Sequence, residues 1–198
     1  LVAAAGAVLA TSVVAFYHRT GGALQIAQEQ ANVSAIAQNV KRIYAGRNAY
    51  GALTPDSAQQ QGVFPSGMVP PQDGFARIAN VWGGTVSVAG TTIDGGIPGN
   101  GFTIAYSNVP SSVCAAFAAA AGNGFDEVTV RHGLLSTGGP HDGSVLDADG
   151  RHVDPVLASR RCVSGPSTVA FAYAEFPLAR ETCAGSGPIP PNTQAQTA

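Results

Sequence analysis

Residues 1–46 read LVAAAGAVLATSVVAFYHRTGGALQIAQEQANVSAIAQNVKRIYAG, and the rest of the architecture follows from this stretch. Residues 1–17 carry no charged side chain, and His18 and Arg19 end that apolar run. The part from 23 to 44 alternates Gln, Lys and Arg with apolar side chains at roughly helical spacing: Leu24, Ala27, Val33, Ile36, Val40, Ile43 and Tyr44. The stretch therefore predicts one long helix, apolar first and amphipathic afterwards, that ends near Gly46.

Three interpretations compete for the apolar first half. A cleaved signal peptide is disfavoured, because no basic residue precedes the apolar run. A membrane anchor fits, although an apolar helix of about 25 Å is at the short limit of a membrane span. A helix that leaves the bilayer to pack against copies of itself also fits, since the run is rich in Ala and Gly, which let helix backbones approach closely.

Gly21 and Gly22 stand where the apolar part gives way to the amphipathic part. Each Gly inside a helix costs about 1 kcal/mol relative to Ala. In a subunit that must bend or partly unwind on assembly, this pair is a hinge. A tolerated Gly pair near a membrane surface is the alternative.

Composition excludes several classes of function. The formal net charge is −2, only 11% of the residues are charged, and no basic patch is present, so we expect no nucleic acid as a partner. Cys114, Cys162 and Cys183 stand far apart without a C-x-x-C pair, which disfavours a zinc or redox motif. In an exported chain this count favours one disulfide and one remaining thiol.

Residues 141–154 concentrate aspartates and histidines. Asp147, Asp149 and Asp154 are weak candidates for a metal site, because Asp147-x-Asp149-Gly150 resembles part of a calcium loop. The segment lacks the third acid and the distal Glu of an EF-hand, so a solvated loop is the simpler interpretation. The sequence also lacks G-x-S-x-G and a phosphate-binding loop. We therefore predict no catalytic residue, no bound metal and no cofactor.

The remaining elements predict an α+β head after the long helix. A short helical turn is expected at 55–61, an antiparallel hairpin from strands at 84–89 and 102–107, a helix at 110–121, and further strands at 125–131 and 167–176. Residues 132–157 are expected to be irregular. The predicted divisions are a helix over 1–50 (apolar over 1–22, amphipathic over 23–46), a head over 51–184 and a flexible tail over 185–198.

The order of these elements and several motifs resemble type IVb pilins, especially the prepilins of conjugative thin pili. The motifs are NVKRIYAGRNAYGALT at 39–54, NVWGGTV at 80–86, FTIAY at 102–106 leading to Val109-Pro110 and Cys114, and Arg161-Cys162. Together they span roughly residues 1 to 176. The resemblance implies the type IV pilin fold, a long amino-terminal α-helix packed on an antiparallel β-sheet, with a disulfide-closed carboxy-terminal region.

By the same resemblance the chain polymerises with itself into a helical pilus on the bacterial surface, for conjugative contact or adhesion. Other implied partners are an inner-membrane assembly platform, a prepilin peptidase, and the inner membrane itself before assembly. The side chains expected to pack in the filament core are Val8, Leu9, Val13, Val14, Phe16 and Tyr17. A minor pilin or tip adhesin, a pseudopilin of a type II secretion system and a membrane-anchored periplasmic enzyme are the rival identities.

The resemblance also implies that Cys114 pairs with Cys162, which leaves Cys183 over. Cys162–Cys183 is the alternative pairing. In the chain-entropy model, a disulfide that closes a loop of about 48 residues stabilises the folded chain by ~4 kcal/mol, and any strain in the bond reduces this value.

The chain departs from the family pattern in one respect. Family members carry a glutamate at the fifth position of the mature chain, whereas Ala5 stands here and Glu29 is the first acid. We therefore expect that Leu1 is not the native amino terminus and that the missing residues include this glutamate.

Overall fold

The computed structural model of the chain describes residues 2–47, 49–69, 77–93, 96–132, 143–163 and 165–175, with the backbone alone described for 2–20. The helices and strands, in chain order, are α1 (Val2–Tyr44), α2 (Pro55–Gln60), β1 (Val86–Thr91), β2 (Gly101–Val109), α3 (Ser111–Ala121), β3 (Glu127–His132), α4 (Pro155–Arg161) and β4 (Ser167–Ala174). A short 3₁₀ turn at Ser66–Met68 follows α2. The predicted α+β class is confirmed.

Helix α1, the spine helix, is one continuous rod whose second half lies against the head. The apolar stripe Val33, Ile36, Val40 and Tyr44 is buried, because positions three or four apart share one face of a helix. The prediction that this stripe starts at Leu24 and Ala27 is wrong. Both residues are exposed, since the head covers a different face of that part of the helix.

The spine helix ends where its sequence predicts. Tyr44 is its last residue, and Gly46 follows with φ of +79°, a left-handed conformation that favours glycine. The Arg47 backbone N–H donates to the Tyr44 carbonyl at 2.9 Å and satisfies one of the carbonyls at the helix end.

The four strands form one antiparallel sheet in the order β1-β2-β4-β3. The predicted hairpin of β1 and β2 is confirmed, with Val88 opposite Ile104 in its register. The last strand, β4, lies between β2 and β3 and therefore occupies the middle of the sheet. Gly90 in β1 is required for packing, because a Cβ there would lie 2.0 Å from the Tyr50 carbonyl oxygen.

The prediction that residues 132–157 are irregular is wrong for the last residues of this range, which are helical. Residues 133–142 lie outside the described residues, but α4 begins at Pro155. Asp154 caps this helix, since its side chain accepts the backbone N–H groups of Val156 and Leu157 at 2.7 and 3.2 Å. An Asp followed by Pro is a helix-start signal that the sequence did contain.

The core lies between the sheet and the spine helix together with α3. Phe117 of α3 is at its centre, with its ring 5.0 to 5.4 Å from those of Trp82, Tyr106 and Phe171 in edge-to-face arrangements. Helix α3 contacts α1, α4 and β4, so it connects the spine helix to the far side of the head.

Candidate functional site

The spine helix leaves one long face uncovered by the head. The exposed residues from 23 to 38 are all uncharged: Ala23, Leu24, Gln25, Ala27, Gln28, Gln30, Ala31, Ser34 and Gln38. Leu24 is 71% exposed. Covering a neutral face of Ala and Gln costs less free energy than covering a charged face, because an amide is less costly to desolvate than a charge and can find a hydrogen-bond partner. This face is the strongest candidate for a contact surface.

The predicted hinge at Gly21 and Gly22 lies within continuous helix. A Cβ added at Gly21 would meet no atom within 4 Å, and one added at Gly22 would lie 3.7 Å from Val113 Cγ1, an ordinary van der Waals distance. Packing in the single chain therefore does not require glycine at either position. The pair still makes this part of the helix weaker than an Ala pair would.

The first half of the spine helix is described by its backbone alone. The side chains predicted to form the filament core lie in that half and so are outside the described residues: Val8, Leu9, Val13, Val14, Phe16 and Tyr17. Among the described parts of the chain, no helix combines the length and the apolar character needed to cross a membrane.

A buried carboxylate joins the spine helix to the segment before β1. Glu29 is 1% exposed, and its Oε1 accepts the Val81 backbone N–H at 2.7 Å. Its Oε2 accepts the Asn32 side-chain amide at 2.9 Å. These two hydrogen bonds offset part of the cost of burying a charge. Within the described residues, Glu29 forms no ion pair with a cationic side chain.

The hydroxyl of Tyr106 lies beside Glu29 without a well-aligned hydrogen bond to it. Burial, together with the negative charge of Glu29, raises the pKa of Tyr106 above its ordinary value. The phenol therefore remains neutral in the folded chain.

Asn80 shapes the turn that presents Val81. Its side-chain oxygen accepts the backbone N–H groups of Trp82 and Gly84, both at 3.0 Å, and its amide donates to the Ser107 carbonyl at 2.8 Å. In this segment, the three hydrogen bonds of one buried asparagine side chain satisfy backbone groups that a helix or strand would otherwise satisfy. The turn is therefore fixed both to the spine helix, through Glu29, and to β2.

Two clefts flank this turn along the spine helix. One has a volume of about 310 Å³ and is lined by Glu29, Asn32, Val69 and Val81 among others. The other, about 260 Å³, is lined by Gly21, Gly22, Gln25, Trp82, Pro110, Ser112 and Val113. We call the first the Glu29 cleft. Both clefts open beside the uncovered face of the spine helix.

The disulfide between Cys114 and Cys162 is confirmed. It joins α3 to the residue that follows α4, with the two Cα atoms 5.8 Å apart. Both cysteines are buried. Cys183, and with it the alternative pairing, lies outside the described residues.

The three acids proposed as weak metal candidates have different surroundings. Asp154 caps α4, and Asp147 accepts the backbone N–H groups of Arg151 and His152 at 3.0 and 3.4 Å. The hydrogen bond from Arg151 is the main reason that the pKa of Asp147 is lowered. Asp149 is exposed. Where the structure describes the chain, no group of three or more His, Cys, Asp or Glu side chains could hold a metal ion.

Sequence reasoning missed Glu29 and Asn80. Glu29 lies three residues after Ile26 and four before Val33, so helical spacing alone places it on the buried stripe. An acid on the apolar stripe of an amphipathic helix is a usable signal of a buried polar contact. Asn80 has no comparable signal, because its role depends on a turn that periodicity does not predict.

Comparisons with known proteins agree with this architecture. The family model described as PilS N terminal matches residues 23–173. The crystal structure of type IVb pilin from Salmonella typhi is 26% identical, covers 75% of this chain and 99% of its own, and superimposes with a TM-score of 0.54. That of TcpA, a type IV pilin from Vibrio cholerae El Tor biotype, covers 76% and 99% with a TM-score of 0.53. At 12% identity, the second shows the fold alone. No curated protein sequence matches the chain.

A long helix on a four-stranded antiparallel sheet, with a disulfide that joins α3 to the residue after α4, defines a type IV pilin. The match over residues 23–173 covers more than half of the chain, so the chain belongs to the PilS N-terminal family of type IVb pilins.

Proposed function

We propose that this chain is the major structural subunit of a type IVb pilus and polymerises with copies of itself. The observation that carries the proposal is the uncovered, uncharged face of the spine helix between residues 23 and 38. A helix packed on one side only, with Leu24 exposed, is suited to be covered by neighbouring subunits.

The apolar half of the spine helix supplies the filament core in this proposal. Its Ala- and Gly-rich sequence favours close approach between helices. Once they have left the lipid, such helices are stable only when they bury one another. Gly21 and Gly22 allow the helix to bend or unwind where the bundle requires it, since packing in the single chain does not need glycine there.

The remaining parts of the proposal concern location and partners. Before assembly the chain is held in the inner membrane and processed by a prepilin peptidase, and an inner-membrane platform then adds it to an extracellular filament. The filament serves conjugative contact or adhesion. The chain acts through surfaces and has no enzymatic role.

Filaments sheared from the bacterium that encodes this chain test the proposal. Electron microscopy and mass spectrometry should identify the chain as the dominant repeating subunit, and deletion of its gene should abolish the filaments. If filaments persist without it, or if the chain stays in the inner membrane, it is an accessory subunit or a pseudopilin and the proposal is wrong.

A pair of matched variants tests the uncovered face directly. Gln30→Glu places a charge on that face, whereas Gln60→Glu makes the same change on the exposed surface of α2. Both variants should unfold at the temperature of the unsubstituted chain. Only Gln30→Glu should reduce the yield of filaments, because its charge must be desolvated on assembly. Equal yields would contradict the role of this face.

A further inference from the structure

The tetrapeptide Gly-Asn-Gly-Phe occurs twice in the chain, at residues 99–102 and 122–125. Asparagine followed by glycine is the pair in which side-chain deamidation is fastest, because glycine has no Cβ to hinder the approach of its backbone nitrogen to the asparagine side chain. Since the two tetrapeptides are identical, a difference in their reactivity within the folded chain comes from the structure around them.

The first asparagine, Asn100, is held by hydrogen bonds at both ends of its side-chain amide. It is 1% exposed, its Oδ1 accepts the Ile93 backbone N–H at 2.8 Å, and its Nδ2 donates to the Ile93 carbonyl at 3.0 Å. The glycine after it, Gly101, lies in the sheet, where it is paired with Thr91 of β1 and with Ala174 of β4. Reaction at this pair therefore requires the end of the sheet to open.

The second asparagine, Asn123, lies in the turn between α3 and β3. Asn123 and Gly124 are both exposed, and within the described residues neither the Asn123 side chain nor the Gly124 backbone N–H has a hydrogen-bond partner. A hydrogen bond of 3.2 Å from the Phe125 backbone N–H to the Gly122 carbonyl closes the turn. The two groups that must react are thus accessible, and little has to open before they can meet.

We propose that Asn123 is a site of spontaneous deamidation and that the fold protects Asn100 from the same reaction. The Gly124 backbone nitrogen attacks Asn123 Cγ, so that a bond forms between these two atoms and the bond from Cγ to Nδ2 breaks. The side-chain amide leaves as ammonia, together with the proton of the Gly124 N–H, and a succinimide ring remains. Water then opens the ring at either carbonyl, which leaves aspartate or isoaspartate at position 123.

Both products alter the connection between α3 and β3. The new carboxylate lies just past the carboxyl end of α3, where the helix dipole disfavours a negative charge. Isoaspartate also adds one methylene to the backbone of a turn whose two ends are packed. A Cβ at Gly122 would lie 2.7 Å from Val153 Cγ2, and the Phe125 ring lies 5.4 Å from that of Phe171. Deamidation should therefore loosen the turn.

The reaction needs only water and time, so the altered fraction of the chain should rise with its age. The inference goes beyond the proposed function and does not depend on it, because it concerns the single folded chain.

Incubation of the folded full chain at neutral pH and physiological temperature tests the proposal. Digestion with pepsin at acidic pH avoids further deamidation, and mass spectrometry of the peptides measures the conversion at each asparagine. Conversion at Asn123 should be at least about tenfold faster than at Asn100, because each ~1.4 kcal/mol needed to open the Asn100 site slows the reaction there tenfold.

The control is the same chain unfolded in guanidinium chloride with its disulfide reduced. The two asparagines should then convert at similar rates, since their local sequences are identical. The proposal is overturned if Asn123 keeps its amide in the folded chain while it reacts in the unfolded one, or if the two sites react at equal rates in the folded chain.

A matched variant tests the effect on the turn. Asn123→Gln keeps an exposed amide at this position but forms a cyclic imide much more slowly, because the ring would have six members. After equal incubation, hydrogen exchange at the Phe125 amide should be faster in the unsubstituted chain than in Asn123→Gln, whereas the two fresh proteins should exchange alike. Equal exchange in the two incubated proteins, despite conversion of Asn123, would show that deamidation does not loosen the turn.

Discussion

The two edges of the sheet are stabilised in different ways. At the β1 edge, the segment before the strand is fixed by buried polar side chains, with Glu29 connecting it to the spine helix and Asn80 connecting it to β2. At the β3 edge, α4 is fixed by a covalent bond from Cys162 to Cys114 of α3. The first edge therefore depends on the position of the spine helix, whereas the second is held to α3 whatever the spine helix does.

This difference matters for assembly. Gly21 and Gly22 lie about two helical turns before Glu29. A rearrangement of the spine helix there can therefore displace Glu29 and the segment that Glu29 holds. On the other side of the head, the disulfide fixes α4 to α3, so that α4 can move only together with α3. We therefore expect the β1 side of the head to adapt to its neighbours, and α4 to keep its position relative to α3.

The largest effect is expected from removal of the disulfide. Replacing Cys114 and Cys162 together by Ala should lower the free energy of unfolding by about 4 kcal/mol, because the unfolded chain regains the entropy of an open loop. Denaturant unfolding monitored by circular dichroism measures this loss. Hydrogen exchange should rise first in α4, while the Val81 amide remains protected.

Cys183→Ala is the control for that experiment, and we expect it to leave the free energy of unfolding unchanged. A double variant as stable as the unsubstituted chain would show that α4 is held by packing alone, and the contrast between the two edges would be lost.

Removal of Glu29 should have the next largest effect. Glu29→Ala removes the charged acceptor of the Val81 backbone N–H, and the loss of a hydrogen bond to a charged group costs about 2 kcal/mol. Hydrogen exchange at Val81 should accelerate strongly, while exchange in α4 should change little. Gln28→Ala, an exposed neighbour on the same helix, is the matched control. Unchanged protection at Val81 would mean that Glu29 does not hold this segment.

A smaller effect is expected at the cap of α4. Asp154→Ala should lower the free energy of unfolding by about 1 kcal/mol, because two backbone N–H groups lose their acceptor. Asp149→Ala changes an exposed aspartate of the same segment and should be neutral. Thermal unfolding of both variants checks this prediction, and an equal loss in the two would contradict the capping role.

The smallest effect concerns the hydroxyl of Tyr106 and depends on pH. Its pKa is raised above the ordinary 10.0, so folding favours the neutral phenol. The resulting stability is present below pH 10 and is lost as the pH rises above that value. Tyr106→Phe should change the free energy of unfolding by less than about 1 kcal/mol at pH 7, because the hydroxyl lacks a well-aligned partner.

Unfolding curves measured from neutral pH to above pH 10 test this account of Tyr106. The unsubstituted chain should lose more stability over that range than Tyr106→Phe does. Parallel curves for the two proteins would show that Tyr106 ionises as freely in the folded chain as in the unfolded one.

Much of this architecture was predictable from the sequence, for identifiable physical reasons. Helical spacing from Val33 to Tyr44 predicted the spine helix, and alternation in 84–89 and 102–107 predicted the hairpin of β1 and β2. The pairing of Cys114 with Cys162 came from the resemblance to type IVb pilins. Each of these features depends on local pattern or on recognisable motifs.

The features that sequence reasoning missed depend on tertiary contacts. Helix α4 spans seven residues, which is too short for periodicity to reveal. Alternation along β4 does not say which strands lie beside it, so its central place in the sheet was not predictable. The exposure of Leu24 depends on where the head sits along the spine helix. The Glu29 contact joins residues far apart in the chain.

The structure of the assembled filament, determined by electron cryo-microscopy, tests the central claim most directly. The account predicts that this chain is the repeating subunit and that neighbouring copies cover the face of the spine helix that includes Leu24 and Gln30. A filament in which that face remains in contact with solvent, or one built from a different protein, would contradict it.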